Sequence, residues 1–194
     1  ASLLLSTRMW EGLLRDVKLN PVELGGDFQL GPFGFRYIPL AHSIPEGNAL
    51  IIDTPYGRIF HTGDWKLDDS PQLGDPSTEA ELRAIGDEGV LALVCDSTNV
   101  FQETPSGSEA GVHAGLRQAV EEAKGRVLVT TFASNAARLQ TLEQVSIKCG
   151  RKLCVAGRSL DRILSVAQAN GYLLYFPETI RFDASVALPP TEVV

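Results

Sequence analysis

Apolar residues recur along this chain with two different periods, and the switches between them outline the fold. Leu5, Met9, Leu13 and Val17 return every four residues, with Trp10 and Leu14 alongside. That spacing predicts an amphipathic helix over 5–19, stopped by Asn20-Pro21. From Asp27 to Asp64 the period shortens. Phe33, Phe35 and Tyr37 alternate with Gly34, Arg36 and Ile38, as in a half-buried strand, and deliver the chain to His42. The runs 49–53 and 58–61 flank Thr54-Pro55-Tyr56-Gly57. Proline second and glycine fourth suit a type I turn, so a hairpin is predicted, its second strand ending at Gly63-Asp64. Residues 68–81 are rich in Asp, Pro, Gly and Ser and read as a surface loop.

Strand and helix then alternate. An apolar strand over 90–95 ends in Asp96-Ser97-Thr98-Asn99, and a helix over 108–124 stops at Gly125. A strand over 126–132 ends in Ala133-Ser134-Asn135. The helix after it carries Leu139, Leu142 and Val145 and stops at Gly150. A third strand over 152–156 ends in Gly157-Arg158-Ser159. Its helix carries Leu160, Ile163, Leu164 and Ala167 and closes at Asn170-Gly171. This order predicts an α/β fold with parallel strands and crossover helices. The tail from Leu188-Pro189-Pro190 to Val194 reads as a linker.

Composition adds limits. At 194 residues and 44% hydrophobic, the chain can bury a core without covalent staples. No apolar run approaches the ~20 residues that span a bilayer, and Leu3-Leu4-Leu5 is too short for a signal-peptide core. The three cysteines form no Cys-x-x-Cys pair. Cys95 and Cys154 lie in apolar runs and Cys149 near a helix end, which predicts buried, reduced thiols and a cytoplasmic setting. The net charge of −7 argues against a basic coat. Its distribution is uneven, with 13 acidic and 3 basic residues over 64–122 but 8 basic and 2 acidic over 124–162. A basic half can attract a polyanion; a solvated helix face is the plainer alternative.

The candidate chemistry lies at the ends of the predicted strands. An imidazole at His42 and a carboxylate at Asp64 can hold a divalent metal, although a zinc centre needs three or four protein ligands. Ser134 and Ser159 stand where they can cap helices, and exposed N–H groups at such helix starts attract anions. Arg158 adds a fixed charge beside one cap, and Arg138 follows one turn after the other. Together they suggest a phosphate pocket, with ordinary capping as the alternative. Asp96 either orients an active centre or forms a local turn. His61 is given no role, and His113 reads as a surface histidine.

Five strings occur in a familiar order: His-Ser-Ile-Pro at 42–45, His-Thr-Gly-Asp-Trp-Lys at 61–66, Asp-Ser-Thr-Asn at 96–99, Phe-Ala-Ser-Asn at 132–135 and Gly-Arg-Ser at 157–159. With them the chain resembles ribonuclease J, of the metallo-β-lactamase superfamily with an inserted β-CASP domain. The resemblance implies an α/β chain with part of a metallo-β-lactamase αββα fold over 1–103, then part of a parallel β-CASP domain over 104–194. It implies that His42 ligates one zinc, that Asp64 bridges two, and that Asp96 supports the active centre in catalysis. Ser134, Asn135, Arg138, Arg158 and Ser159 would then face RNA. The family's His-x-His-x-Asp-His motif would precede residue 1 and its later histidines would follow residue 194. The resemblance therefore implies an internal fragment of a two-zinc, cytoplasmic, homo-oligomeric ribonuclease, inactive by itself. A non-catalytic RNA-, phosphate- or partner-binding module, or another hydrolase of the metallo-β-lactamase fold, is the alternative.

Overall fold

The computed structural model describes residues 18, 20–68, 70–74, 76, 78–104 and 106–194. The helix predicted over 5–19 lies, Lys18 apart, outside them. The chain divides into two compact units, one of Pro21–Ala110 and the other built on Gly111–Val194. Strands and helices populate both, so the predicted α/β class holds.

In the first unit β1 (Asp27–Leu30), β2 (Phe33–Pro39), β3 (Asn48–Thr54), β4 (Gly57–His61) and β5 (Ala92–Val94) form one sheet in chain order. Neighbours are antiparallel except β4 and β5, which are parallel. A two-residue tip joins β3 to β4, as the hairpin pattern predicts. There the Thr54 hydroxyl accepts from Tyr56 N–H and donates to the Gly57 carbonyl. Ala49 and Ile51 are fully buried on one face, while Leu50 and Ile52, alternating with them, are half-buried on the other. This is the two-residue period of a pleated strand.

The parallel pair requires a crossover, and α1 (Glu79–Asp87) supplies it. The loop reading of 68–81 therefore ends too late, because α1 starts inside it. The overlooked signal is Thr78-Glu79-Ala80-Glu81. The Thr78 hydroxyl accepts from Glu81 N–H and the Glu81 carboxylate accepts from Thr78 N–H, a reciprocal cap that satisfies two otherwise orphaned donors. Ile85 of α1 then packs with Leu40, Ala49, Ile51 and Phe60 as the core of this unit.

β5 departs from its predicted burial. Leu93 is 61% and Val94 50% exposed, and Cys95 is exposed rather than buried. The strand lies at the sheet edge with a neighbour on one side only, while α1 covers the central strands.

The second unit packs α2 (Glu109–Glu122), α3 (Ala136–Lys148) and α4 (Arg158–Ala169), followed by the short α5 (Phe182–Ala187) and a single 3-10 turn at Pro190–Glu192. Leu139, Leu142 and Val145 of α3 meet Val120 of α2, Ala167 of α4, Leu153 and Phe176. Those are the positions the four-residue spacing marks as inward-facing.

The predicted strands 126–132 and 152–156 form no multi-residue strand among the described residues. Instead Lys152 and Cys154 make single parallel bridges, to Val193 and to Ile180. The bonds Lys152 N to Glu192 O (2.7 Å), Val194 N to Lys152 O (2.9 Å) and Cys154 N to Val194 O (2.8 Å) stitch one side. Ile180 N to Leu153 O (2.9 Å) stitches the other, and Val127 reaches Val193 by one bond of 3.4 Å. Each segment thus offers its neighbour only a few residues, too few for a ladder. The tail read as a linker is corrected by the same bonds: Val193 and Val194 are buried, because two adjacent β-branched side chains have more to gain inside than in water.

Part of the basic excess also has a structural use. The Arg151 guanidinium donates to the carbonyls of Val120, Ala123 and Gly125 at the end of α2. Arg126 donates to those of Ser185 and Leu188 around the end of α5. Helix C-termini leave carbonyls unpaired and carry partial negative charge, so a cation there satisfies both.

Candidate active site

Sheet polarity assembles the first group of residues. β2 and β4 are each antiparallel to β3, and β5 is parallel to β4. All three therefore run the same way and release the chain at one edge. Leu40 to His42 follow β2, Thr62 to Asp64 follow β4, and Cys95 and Asp96 follow β5.

Short hydrogen bonds hold these strand ends together. Thr62 is only 3% exposed. Its N–H donates to Val94 O at 3.0 Å. Its hydroxyl accepts from Asp96 N–H at 3.1 Å and donates to Gly63 O at 2.8 Å. Lys66 N–H donates to Ala41 O at 3.1 Å. Gly63 turns the chain with φ of +60°, a conformation that disfavours any residue with a Cβ. Its N–H donates to Nδ1 of His61 at 2.9 Å, so His61, exposed at the end of β4, shapes this turn. Asp64 is presented outward just beyond it.

Nδ1 of His42 lies 3.2 Å from the Ser43 hydroxyl, which fixes one side of a half-buried imidazole. Asp96 accepts through Oδ1 from both the hydroxyl (2.6 Å) and the N–H (2.9 Å) of Thr98. These two bonds, and then the nearby charge of His42, hold its carboxyl below the ordinary carboxylate range. The turn-forming role of Asp96 is thus present. So is its proximity to His42, and the two uses are compatible.

Among the described residues no group of three or more His, Cys, Asp or Glu is placed to hold a metal ion. An imidazole nitrogen and a carboxylate oxygen are nevertheless donors that zinc accepts, and His42 and Asp64 fit as part of a shell of three or four.

The second unit treats the polar residues predicted to end its strands differently. Ser134 is exposed and does not cap α3. Asn135 does, its side-chain oxygen accepting from Arg138 N–H at 2.9 Å. Arg138 lies in the first turn. Ser159 lies inside the first turn of α4, after Arg158, and caps nothing. The cap position falls to Gly157, whose φ of +128° only glycine adopts readily. Asp161 adds negative charge to that first turn, which complements the helix dipole and opposes an incoming anion. Arg158 and Ser159 are exposed. His113, expected at the surface, is half-buried in α2, with Nε2 sealed and without a hydrogen bond.

Residues to which the sequence reading gives no role hold this region in shape. Thr62 bridges two strand ends, and Lys66 with Asp68 ties the following loop. Their signal is Trp-Lys-Leu-Asp directly after Asp64, where a cation and an acid two residues apart sit beside apolar neighbours.

Sequence comparison agrees with the strings. The family described as ribonuclease J, beta-CASP domain, matches residues 124–194. A "Ribonuclease J" of Sinorhizobium meliloti is 39% identical over 194 residues, 100% of this chain and 34% of that protein. One of Corynebacterium glutamicum is 43% identical over 156 residues, 80% of this chain and 22% of that protein. One of Thermus thermophilus is 38% identical, covering 98% of this chain and 34% of that protein. The chain spans about a third or less of these curated relatives. In fold it is similar to a protein of unknown function from Enterococcus faecalis V583, with a TM-score of 0.61 at 15% identity, covering 91% of this chain and 44% of that one. No helix among the described residues is long and apolar enough to cross a membrane. Along its whole length this chain is thus similar to part of proteins named ribonuclease J, and its residues 124–194 match the ribonuclease J beta-CASP domain.

Proposed function

We propose that the protein carrying this chain is a zinc-dependent ribonuclease that hydrolyses RNA phosphodiester bonds by endonucleolytic and 5′-to-3′ exonucleolytic cleavage in the cytoplasm, as a homo-oligomer. The observation that carries this is the shared edge of β2, β4 and β5, after which the chain presents an imidazole (His42) and two acids (Asp64 and Asp96). Similarity to proteins named ribonuclease J supports the choice of RNA as substrate.

In this reading His42 and Asp64 would hold zinc as two donors of a larger shell. Bound zinc would supply Lewis acidity at the scissile phosphate. Asp96, kept ionised by Thr98, orients the His42 side of the site. Arg158, Arg138, Ser134, Asn135 and Ser159 lie along the RNA path. Arg158 is the strongest of these, because its guanidinium is exposed and suits phosphate. Asn135 is the weakest, since its oxygen already caps α3.

The test compares the complete gene product with this chain alone on RNA, with zinc and with a chelator. Cleavage by the complete protein that the chelator abolishes, and none by the chain, is expected. Zinc-dependent turnover by the isolated chain overturns the division of ligands, and a complete protein that leaves RNA intact with zinc present overturns the ribonuclease reading.

A further inference from the structure

A second acid lies one turn of chain beyond Asp64, and it is the better buried of the two. Asp68 is 4% exposed. Its Oδ2 lies 2.9 Å from Lys66 Nζ, and its Oδ1 accepts from Ser70 N–H at 3.0 Å. Burial would raise its carboxyl, but Lys66, the Ser70 N–H and Ser108 outweigh that and hold it below the ordinary value. Lys66 reaches three ways. Its N–H donates to Ala41 O, the residue before His42, and its Nζ meets both Asp68 and the Gly107 carbonyl at 3.3 Å. Ser108 donates to Ser70 O at 3.0 Å and closes the far side. Trp65, between Asp64 and Lys66, packs against the sheet core.

An exposed ion pair would do little here. This one differs because the acid is sealed, so removing its partner leaves a buried charge uncompensated. Thr62 holds the near side of Asp64 to β5, as described above. Lys66 holds the far side to the strand end that carries His42. Asp64 therefore hangs between two anchors, the second of which depends on the buried acid.

We propose that Lys66 and Asp68 are positioning residues: their ion pair fixes the Asp64 loop against the His42 strand end and thereby sets the zinc affinity of that pair. This rests on the assignment of His42 and Asp64 as ligands.

The test uses the complete gene product stripped of metal and titrated with zinc, alongside amide hydrogen exchange at Lys66. Asp68→Asn keeps the acceptor for Ser70 and leaves Lys66, whose side chain is 26% exposed, able to reach water. It is expected to weaken zinc binding by about 10-fold, the lower end for partners that orient metal ligands, and to speed exchange at the Lys66 amide. Lys66→Arg keeps the cation and should retain both. Lys66→Gln should reproduce the loss, and takes over if Asp68→Asn does not fold. His42→Ala separates the two ideas. If His42→Ala weakens zinc binding while Asp68→Asn and Lys66→Gln do not, the positioning role is wrong and the ligand assignment stands. If His42→Ala leaves zinc binding unchanged, the ligand assignment falls and the positioning role with it.

Discussion

The two units use polar residues at the ends of their elements in different ways. In Pro21–Ala110 Asp64 is left exposed after β4, because backbone groups and the Thr62 hydroxyl do the holding. In Gly111–Val194 Ser134, Arg158 and Ser159 are exposed, and other polar residues near element ends are taken up by the backbone. Asn135 caps α3, Arg151 closes α2 and Arg126 closes the end of α5. The difference teaches that a polar residue at an element end is a candidate for ligand chemistry only where something else satisfies the local backbone.

The sharpest way to break this contrast is at Asp64. Asp64→Ala removes a side chain with no structural bond assigned to it here. RNA cleavage by the complete gene product is expected to fall by more than ~100-fold, beyond the usual range for partners that merely support ligands, while the thermal midpoint stays put. A matched loss of stability would show that Asp64 is structural after all.

Arg151→Met tests the other side. It strips three carbonyls of a charged donor, so unfolding by denaturant should show a loss of about 2 kcal/mol, with zinc affinity untouched. The pair Asn135→Ala and Ser159→Ala comes next. The first removes a helix cap and should cost about 1 kcal/mol. The second removes an exposed hydroxyl that caps nothing and should stay within ~0.5 kcal/mol. The opposite ranking would restore the serine cap that the sequence pattern suggests.

The smallest effect concerns pH. Burial holds the Glu143 carboxyl of α3 above its ordinary 4.5. The folded chain therefore binds that proton more tightly than the unfolded chain does. The resulting stabilisation is complete below the ordinary value and is lost as pH rises through the raised one. Glu143→Gln is expected to raise the thermal midpoint near pH ~7.5 and leave it unchanged near pH ~4, which a pair of melting curves decides.

Much of this was legible from residue pattern. The alternation through Phe33, Phe35 and Tyr37, the Thr54–Gly57 tip and the inward spacing of Leu139, Leu142 and Val145 each appear as elements of the predicted kind. So does the placement of His42, Asp64 and Asp96 after strands. The rest depended on neighbours that a linear string does not name. An apolar run such as Val90 to Cys95 reads as buried, yet its exposure is set by its place at the edge of the sheet. Ser134 and Asn135 are equally good caps by type, and backbone geometry chose the second. The valines at 193 and 194 looked like a tail because their partners, Lys152 and Cys154, lie far back in the chain.

The hairpin tip has a practical use. Pro55 and Tyr56 stand at the end of the sheet opposite His42, Asp64 and Asp96, with Tyr56 91% exposed. A fluorophore or short epitope grafted between them would report on the molecule from a distance, with the strand ends that matter left as they are.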